Sequence, residues 1–362
     1  MIRQKGIGFS VFLLIALAVW LMVYSLLMTE RTMETVVTSL RIFVCSILPL
    51  LSVFSVCTRL LVKTNAFRRW IPGYAEWFLR SLGMSEGGFS VFLLSLFSGF
   101  PTGAMMLSEL CEKGEVSSRE AESLLPFCNQ ASIVFLFGTL GKHILGDFRM
   151  GFVFFFAQVT ASAVCICLTA HERDGSVDFQ RKKTYPEISI ASALTCSVRE
   201  TAFSMMGVCG FFVFFSLVGT ALTDTLSALG FHLCPLFCIV LGGCLEISSG
   251  FLLLAEFFVS PKVRLLVGGA LLGFGGISVF MQAIDRTEAI FFAPLKYLKG
   301  KLLTSMFCPL FSVLFFFLYE RKSGQNLIIV SSVLIFFIFY LLNYVKIKFF
   351  SKKCGKIKRN AV

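Results

Sequence analysis

Apolar residues along this chain come in long uninterrupted blocks. Six of them, at 9–28, 36–62, 148–170, 202–222, 302–319 and 327–345, run for about 20 residues or more, enough for a helix to cross a hydrocarbon core roughly 30 Å thick. The pattern predicts transmembrane helices. The first block follows Met-Ile-Arg-Gln-Lys, is too long for the core of a signal peptide and has no small-residue cleavage site behind it, so it reads as a retained signal anchor.

Two regions between these blocks break the pattern in the same way. Residues 88–98 form an apolar stretch of about 16 Å as a helix, half a membrane at most. It runs into Ser98-Gly99-Phe100-Pro101-Thr102-Gly103 and then a second short helix over 104–111. Glycines and a proline between half-length helices describe a re-entrant hairpin whose tip lies near mid-membrane. A helix from Ser117, with Glu120 at capping-box spacing, then breaks at Pro126-Phe127-Cys128-Asn129-Gln130-Ala131-Ser132 and resumes to Gly141. The second region repeats the plan. A stretch over 231–245 meets Glu246-Ile247-Ser248-Ser249-Gly250 and continues over 251–259; a helix from Pro261 breaks at Gly273-Phe274-Gly275-Gly276 and goes on through Ser278 to Gln282. A hairpin plus a broken helix, twice in one chain, is the internal repeat of a secondary transporter.

Charge then orients the chain. If both hairpins dip in and return, 25 of the 33 basic residues fall on the cytoplasmic side, more than if every apolar segment crosses. The first hairpin then enters from the cytoplasm and the second from the opposite face, so the repeats are inverted and the C-terminus is cytoplasmic. The expected fold is an all-α polytopic membrane protein with about eight full spans and two re-entrant hairpins. Its parts are an N-terminal transmembrane hairpin (1–62), an interfacial linker (63–87), the first repeat (88–170), a cytoplasmic loop (171–196), the second repeat with its preceding span (197–319), a last span (320–345) and a basic tail (346–362). Within the linker, the aromatic and basic stretch 67–77 reads as a surface segment, as does 284–298.

Composition supports this picture. Hydrophobic residues make up 56% of 362 and charged ones only 15%, with a mean hydropathy of +0.83, outside the range of soluble domains. Thirteen cysteines, mostly inside apolar blocks and without a C-x-x-C pair, read as small apolar filler. The runs among 43 phenylalanines read as lipid-facing bulk. The net charge of +12 sits at block edges and in the tail, which points to the lipid bilayer as partner and not to nucleic acid.

Chemistry is expected where the helices break, because lipid cannot satisfy the backbone groups exposed there. Helix N-termini at such breaks suit carboxylates, and helix C-termini with free carbonyls suit cations. The candidate substrate-binding residues are Ser98, Gly99, Thr102 and Gly103, then Asn129, Gln130 and Ser132, then Glu246, Ser248, Ser249 and Gly250, and finally Gly275, Gly276, Ser278 and Gln282. Single hydroxyls most often bond back to their own helix. The adjacent amides Asn129 and Gln130 need partners inside a bilayer, which gives them a ligand-binding or gating role. Three roles are open to Glu246: holding a coupling ion (H+ or Na+), carrying a proton, or capping Ser248 and Ser249. There is no P-loop, no H-E-x-x-H and no G-x-S-x-G elbow, so no catalytic, metal or cofactor site is assigned and an enzyme is not expected.

Through Ser98-Gly99-Phe100-Pro101-Thr102-Gly103-Ala104, Phe127-Cys128-Asn129, Leu245-Glu246-Ile247-Ser248-Ser249-Gly250 and Gly273-Phe274-Gly275-Gly276-Ile277-Ser278 with Gln282, the chain resembles the YlbJ-type sporulation integral membrane proteins. These belong with the nucleoside-recognition, or gate, domain proteins of spore-forming bacteria. The resemblance covers roughly 88–319. It implies a place in the outer forespore membrane and passage of a small organic anion, dipicolinic acid, during sporulation. A nucleoside-type permease and a non-transporting scaffold in spore formation are the alternatives.

The topology is testable. With single cysteines in a cysteine-free background, Lys113→Cys should label from the cytoplasmic side and Asp224→Cys from the other. Labelling of both from one side contradicts inverted hairpins.

Overall fold

In the computed structural model, residues 2–64, 79, 82–173, 189–257, 260–287 and 293–321 are described. The linker segment 67–77, most of the loop 171–196, the last span at 327–345 and the basic tail lie outside them. Every regular element among the described residues is helical. Five helices are long and apolar enough to cross a membrane: Thr29–Lys63, Phe148–Leu168, Ile190–Ala228, Pro261–Asp285 and Pro294–Glu320.

Helix α1 (Ile2–Leu27) turns at Met28 into α2 (Thr29–Ile42), which passes through a π-helical turn, Phe43–Ile47, into α3 (Leu48–Lys63). The turn ends where Pro49 enters α3, and a proline without an N–H disturbs the ladder at that place. Two short helices follow, α4 (Glu86–Ser98) and α5 (Thr102–Glu112), joined by Gly99, Phe100 and Pro101. This is the first hairpin, as expected from its sequence.

The first broken helix begins with α6 (Ser118–Cys128) and resumes as a π-helical segment, Phe135–Ile144. Its gap is shorter than the sequence suggests. Pro126, Phe127 and Cys128 are still helical, and only Asn129 to Ser132 leave the helix. The capping box is half formed: the Ser117 hydroxyl accepts from the Glu120 N–H at 3.2 Å, but the Glu120 carboxylate reaches across to the Ser85 N–H (2.7 Å) and hydroxyl (3.0 Å), tying α6 to the base of the hairpin. Beside it, Arg173 is buried and donates to the Leu82 and Ile166 carbonyls and the Ser123 hydroxyl. Burial pulls its guanidinium down to about 10, against the pull of the Glu120 charge.

Next come α7 (Phe148–Leu168) and α8 (Ile190–Ala228). The 39 residues of α8 span about 58 Å at 1.5 Å per residue, well beyond a hydrocarbon core. The second hairpin is α9 (Pro235–Leu245) and α10 (Ile247–Glu256). Glu246 alone separates them, so Ser248, Ser249 and Gly250 belong to the first turn of α10 and not to a loop. The second broken helix is α11 (Pro261–Phe274) and α12 (Ile277–Asp285), parted only by Gly275 and Gly276. The expected surface segment at 284–298 is divided, since Pro294 already begins α13 (Pro294–Arg321).

Each hairpin packs on the broken helix that follows it, and α13 packs along α6, α7 and α11, joining the two halves. Two cores result. One holds Val91, Leu107, Leu124 and Phe127 around the first hairpin; the other holds Phe154, Phe251, Leu271 and Phe315 around the second. Outside, Phe12, Phe203, Met206 and Leu310 are all 60–65% exposed. Such a surface suits hydrocarbon and not water.

Contact between hairpin and broken helix is backbone on backbone. A Cβ at Gly103 would lie 1.9 Å from the Cys128 carbonyl oxygen, with no flexible side chain to yield. Gly103→Ala should therefore cost roughly 2–3 kcal/mol or more. Gly210, exposed on α8 with open space around it, should instead gain up to about 1 kcal/mol on Gly210→Ala. Thermal unfolding of the two variants in detergent checks the opposite signs.

Candidate functional site

The two hairpin tips lie against the two helix gaps. Gly99, at φ +69°, brings the first tip so close to the first gap that a Cβ would stand 2.9 Å from the Ser132 nitrogen. In the second half Gly276, at φ +90°, holds its gap against the tip, with the Gly243 and Leu245 carbonyls 3.2 and 3.3 Å from where its Cβ would be. Any side chain at either place would part tip from gap.

Between the halves is a pocket to which both tips and both broken helices contribute: Gly99 and Phe100, Ser132, Glu246 and Ser248, and Gln282. An apolar wall from Ile47, Leu51, Val208 and Phe212, on α2–α3 and α8, closes it. The cavity is small, about 20 Å³. That is room for water and little more.

The four helix starts around this centre differ in a regular way. Ser132 accepts from the Phe135 N–H at 3.1 Å, and the Glu246 carboxylate accepts from the Ser249 N–H at 2.8 Å and its hydroxyl at 3.3 Å. Those two starts are capped by side chains. The starts of α5, after Pro101, and of α12, after Gly276, carry no side-chain cap. One uncapped, partly positive N-terminus thus comes from each half.

Other candidates take structural partners. Ser98 bonds back to the Leu94 carbonyl (3.2 Å), Thr102 pairs with Ser55 (2.9 Å), and Ser249 pairs with Ser216 on α8 (3.1 Å). Gly250 packs on Gly243 in the other arm of its hairpin. Asn129 turns away from the pocket and donates to the Tyr297 hydroxyl at 2.8 Å and the Val279 carbonyl at 3.4 Å, while Gln130 lies between Ser95 (3.4 Å) and Ser162 (3.1 Å). Gln282 donates to Ser278 at 3.2 Å. The buried oxygens Asn129 Oδ1 and Gln282 Oε1 have no hydrogen-bond partner among the described residues.

Three residues of this centre escape a reading of the sequence. Gln158, one amide in an otherwise apolar block, bonds both the N–H (3.2 Å) and the carbonyl (2.8 Å) of Ala131 in the first gap. A lone glutamine facing a known gap is the signal that would reveal it. Tyr297 and Lys301 look like the edge of a span, but α13 starts early enough to bury both; Lys301 donates to the Asn129 carbonyl at 2.5 Å. No group of three or more metal-ligating side chains occurs among the described residues.

Comparison with known proteins supplies one relative. The sporulation integral membrane protein YlbJ of Bacillus subtilis (strain 168) is 26% identical over 303 residues, which cover 74% of this chain and 73% of that protein. The chain is thus similar to a YlbJ-type sporulation integral membrane protein. Together with the five apolar helices, the relationship makes it an integral membrane protein. YlbJ carries no cargo in its name. No family model matches the sequence, and no solved structure matches the fold.

Proposed function

We propose that the chain is a secondary transporter or facilitator of a small organic anion, dipicolinic acid on the strength of its resemblance, across the outer forespore membrane. The observation that carries this reading is the convergence of both hairpin tips and both broken helices on one pocket. The two halves, each a hairpin and a broken helix, are read as inverted repeats that rock about this centre. Two uncapped helix N-termini supply positive ends for the two carboxylates of a planar dianion. Glu246 carries the opposite sign, so a coupling ion, H+ or Na+, accompanies the anion and neutralises it. The pocket as it stands is the closed state, and movement of Ile47 and Leu51 from Val208 and Phe212 opens it.

The carboxylate of Glu246 also favours a second reading, a permease for a neutral solute of the nucleoside type. Spores distinguish the two. A dianion crosses hydrocarbon far too slowly unaided, so deletion of the gene should leave dipicolinate in the mother cell and remove it from the spore core. Complementation with Glu246→Gln or Gln282→Leu should restore the protein in the membrane but less than about a tenth of the core dipicolinate. Normal dipicolinate in spores of the deletion strain overturns the anion.

A further inference from the structure

Lys301 is 3% exposed, inside the packed centre of the molecule. Its helix carries two other lysines nearby, and each has a carboxylate: Lys296 pairs with Glu122 at 2.5 Å and Lys299 with Glu172 at 3.5 Å. Among the described residues Lys301 has no ion pair. A buried ammonium without a counter-ion is costly, and something else has to offset its charge.

Helix ends do so. Lys301 Nζ is 2.5 Å from the carbonyl oxygen of Asn129, the residue that ends α6. It is also 3.7 Å from where a Cβ would stand on Gly275, the residue that ends α11. The ammonium thus sits between the C-termini of the first halves of both broken helices. Each such end carries about half a negative charge, and two of them match one ammonium. The Asn129 carbonyl is the oxygen that Nζ reaches among the described residues; behind it the Asn129 amide holds the Tyr297 hydroxyl at 2.8 Å, and the Tyr297 ring lies 5.7 Å from Nζ. A main-chain carbonyl at a helix C-terminus is a donor that a hard cation takes.

We propose that the Lys301 ammonium is a tethered cation, occupying the seat that a sodium ion would otherwise take between the two broken helices, so that this chain works without sodium. The location of the seat stands on geometry alone; the consequence for transport rests on the transporter reading above. A tethered cation keeps the two gaps together without waiting for an ion to bind. It also leaves Glu246, at the other end of the centre, as the group that takes the coupling ion, which is then a proton.

Lys301→Met keeps the apolar stem and deletes the ammonium, freeing the Asn129 carbonyl where the two helix ends meet. Purified Lys301→Met, melted in sodium chloride and in choline chloride at equal ionic strength, should gain about 2 °C or more from sodium, and the wild type should gain nothing. Equal behaviour of variant and wild type overturns the seat. A wild-type measurement covers the case in which the variant does not fold. Uptake of radiolabelled dipicolinate and uridine into liposomes containing the wild-type protein should change less than twofold when choline replaces sodium. A tenfold loss overturns the tethered cation while leaving transport intact. Absence of uptake of either solute counts against the transporter reading, and the melting comparison in sodium and choline still decides the seat.

Discussion

A peptide group in hydrocarbon has no solvent to bond to, and most of this structure follows from that constraint. Four interruptions of the helices expose N–H and carbonyl groups within a protein whose exterior is apolar. Each interruption is covered from inside by another part of the chain. Gln158 bonds both groups of Ala131, Lys301 takes the Asn129 carbonyl, Ser132 and Glu246 cap the helices that follow them, and the glycines at 99, 103 and 276 let one backbone lie on another. Tertiary packing here is the means of satisfying broken secondary structure. The hairpins pack where the gaps are because that is where bonds are lacking.

The same constraint explains why a site forms at the centre. Polar groups are confined to the places that cover one another, so Ser132, Glu246, Ser248 and Gln282 meet without being near in sequence. Signs are divided within this centre. Uncapped helix starts at Thr102 and Ile277 give it positive ends, Glu246 gives it a carboxylate, and behind it the ends of α6 and α11 hold an ammonium. A neutral centre with separated positive and negative sites suits a solute that arrives with an ion. The ion cluster of Arg59, Lys63, Glu109 and Glu200 ties α3, α5 and α8 together at the far end of the first hairpin, with contacts of 2.8, 3.0 and 3.7 Å. It ties the apolar wall of the pocket to the hairpin.

Much of this was legible in the sequence, for reasons that can be named. Half-length apolar stretches flanking Gly99-Phe100-Pro101 and Glu246 leave few alternatives to hairpins, and the break expected over 273–276 narrows to Gly275 and Gly276, because Gly273 and Phe274 still belong to α11. Gap lengths were not legible. The sequence places a break at Pro126, but α6 runs past it, with the bond from the Asn129 N–H to the Leu125 carbonyl still made at 3.0 Å. It also places Ser248 and Ser249 in the break that Glu246 opens, but Glu246 caps them into a helix. Nothing in the pattern sets Lys301 apart from Lys296 and Lys299; the packing of α13 against α6 and α11 does. A sequence marks where a helix stops more readily than which distant side chain covers the end.

A single solute site built from residues of all four interruptions makes a direct prediction. Single cysteines at Ser132, Ser248 and Gln282 in a cysteine-free background, with Leu229→Cys as an exposed control, test it directly through their rates of reaction with a small thiol reagent. Dipicolinate should slow modification at all three positions with one concentration dependence and leave residue 229 unaffected. Protection at one position alone, or at none, would contradict a common site.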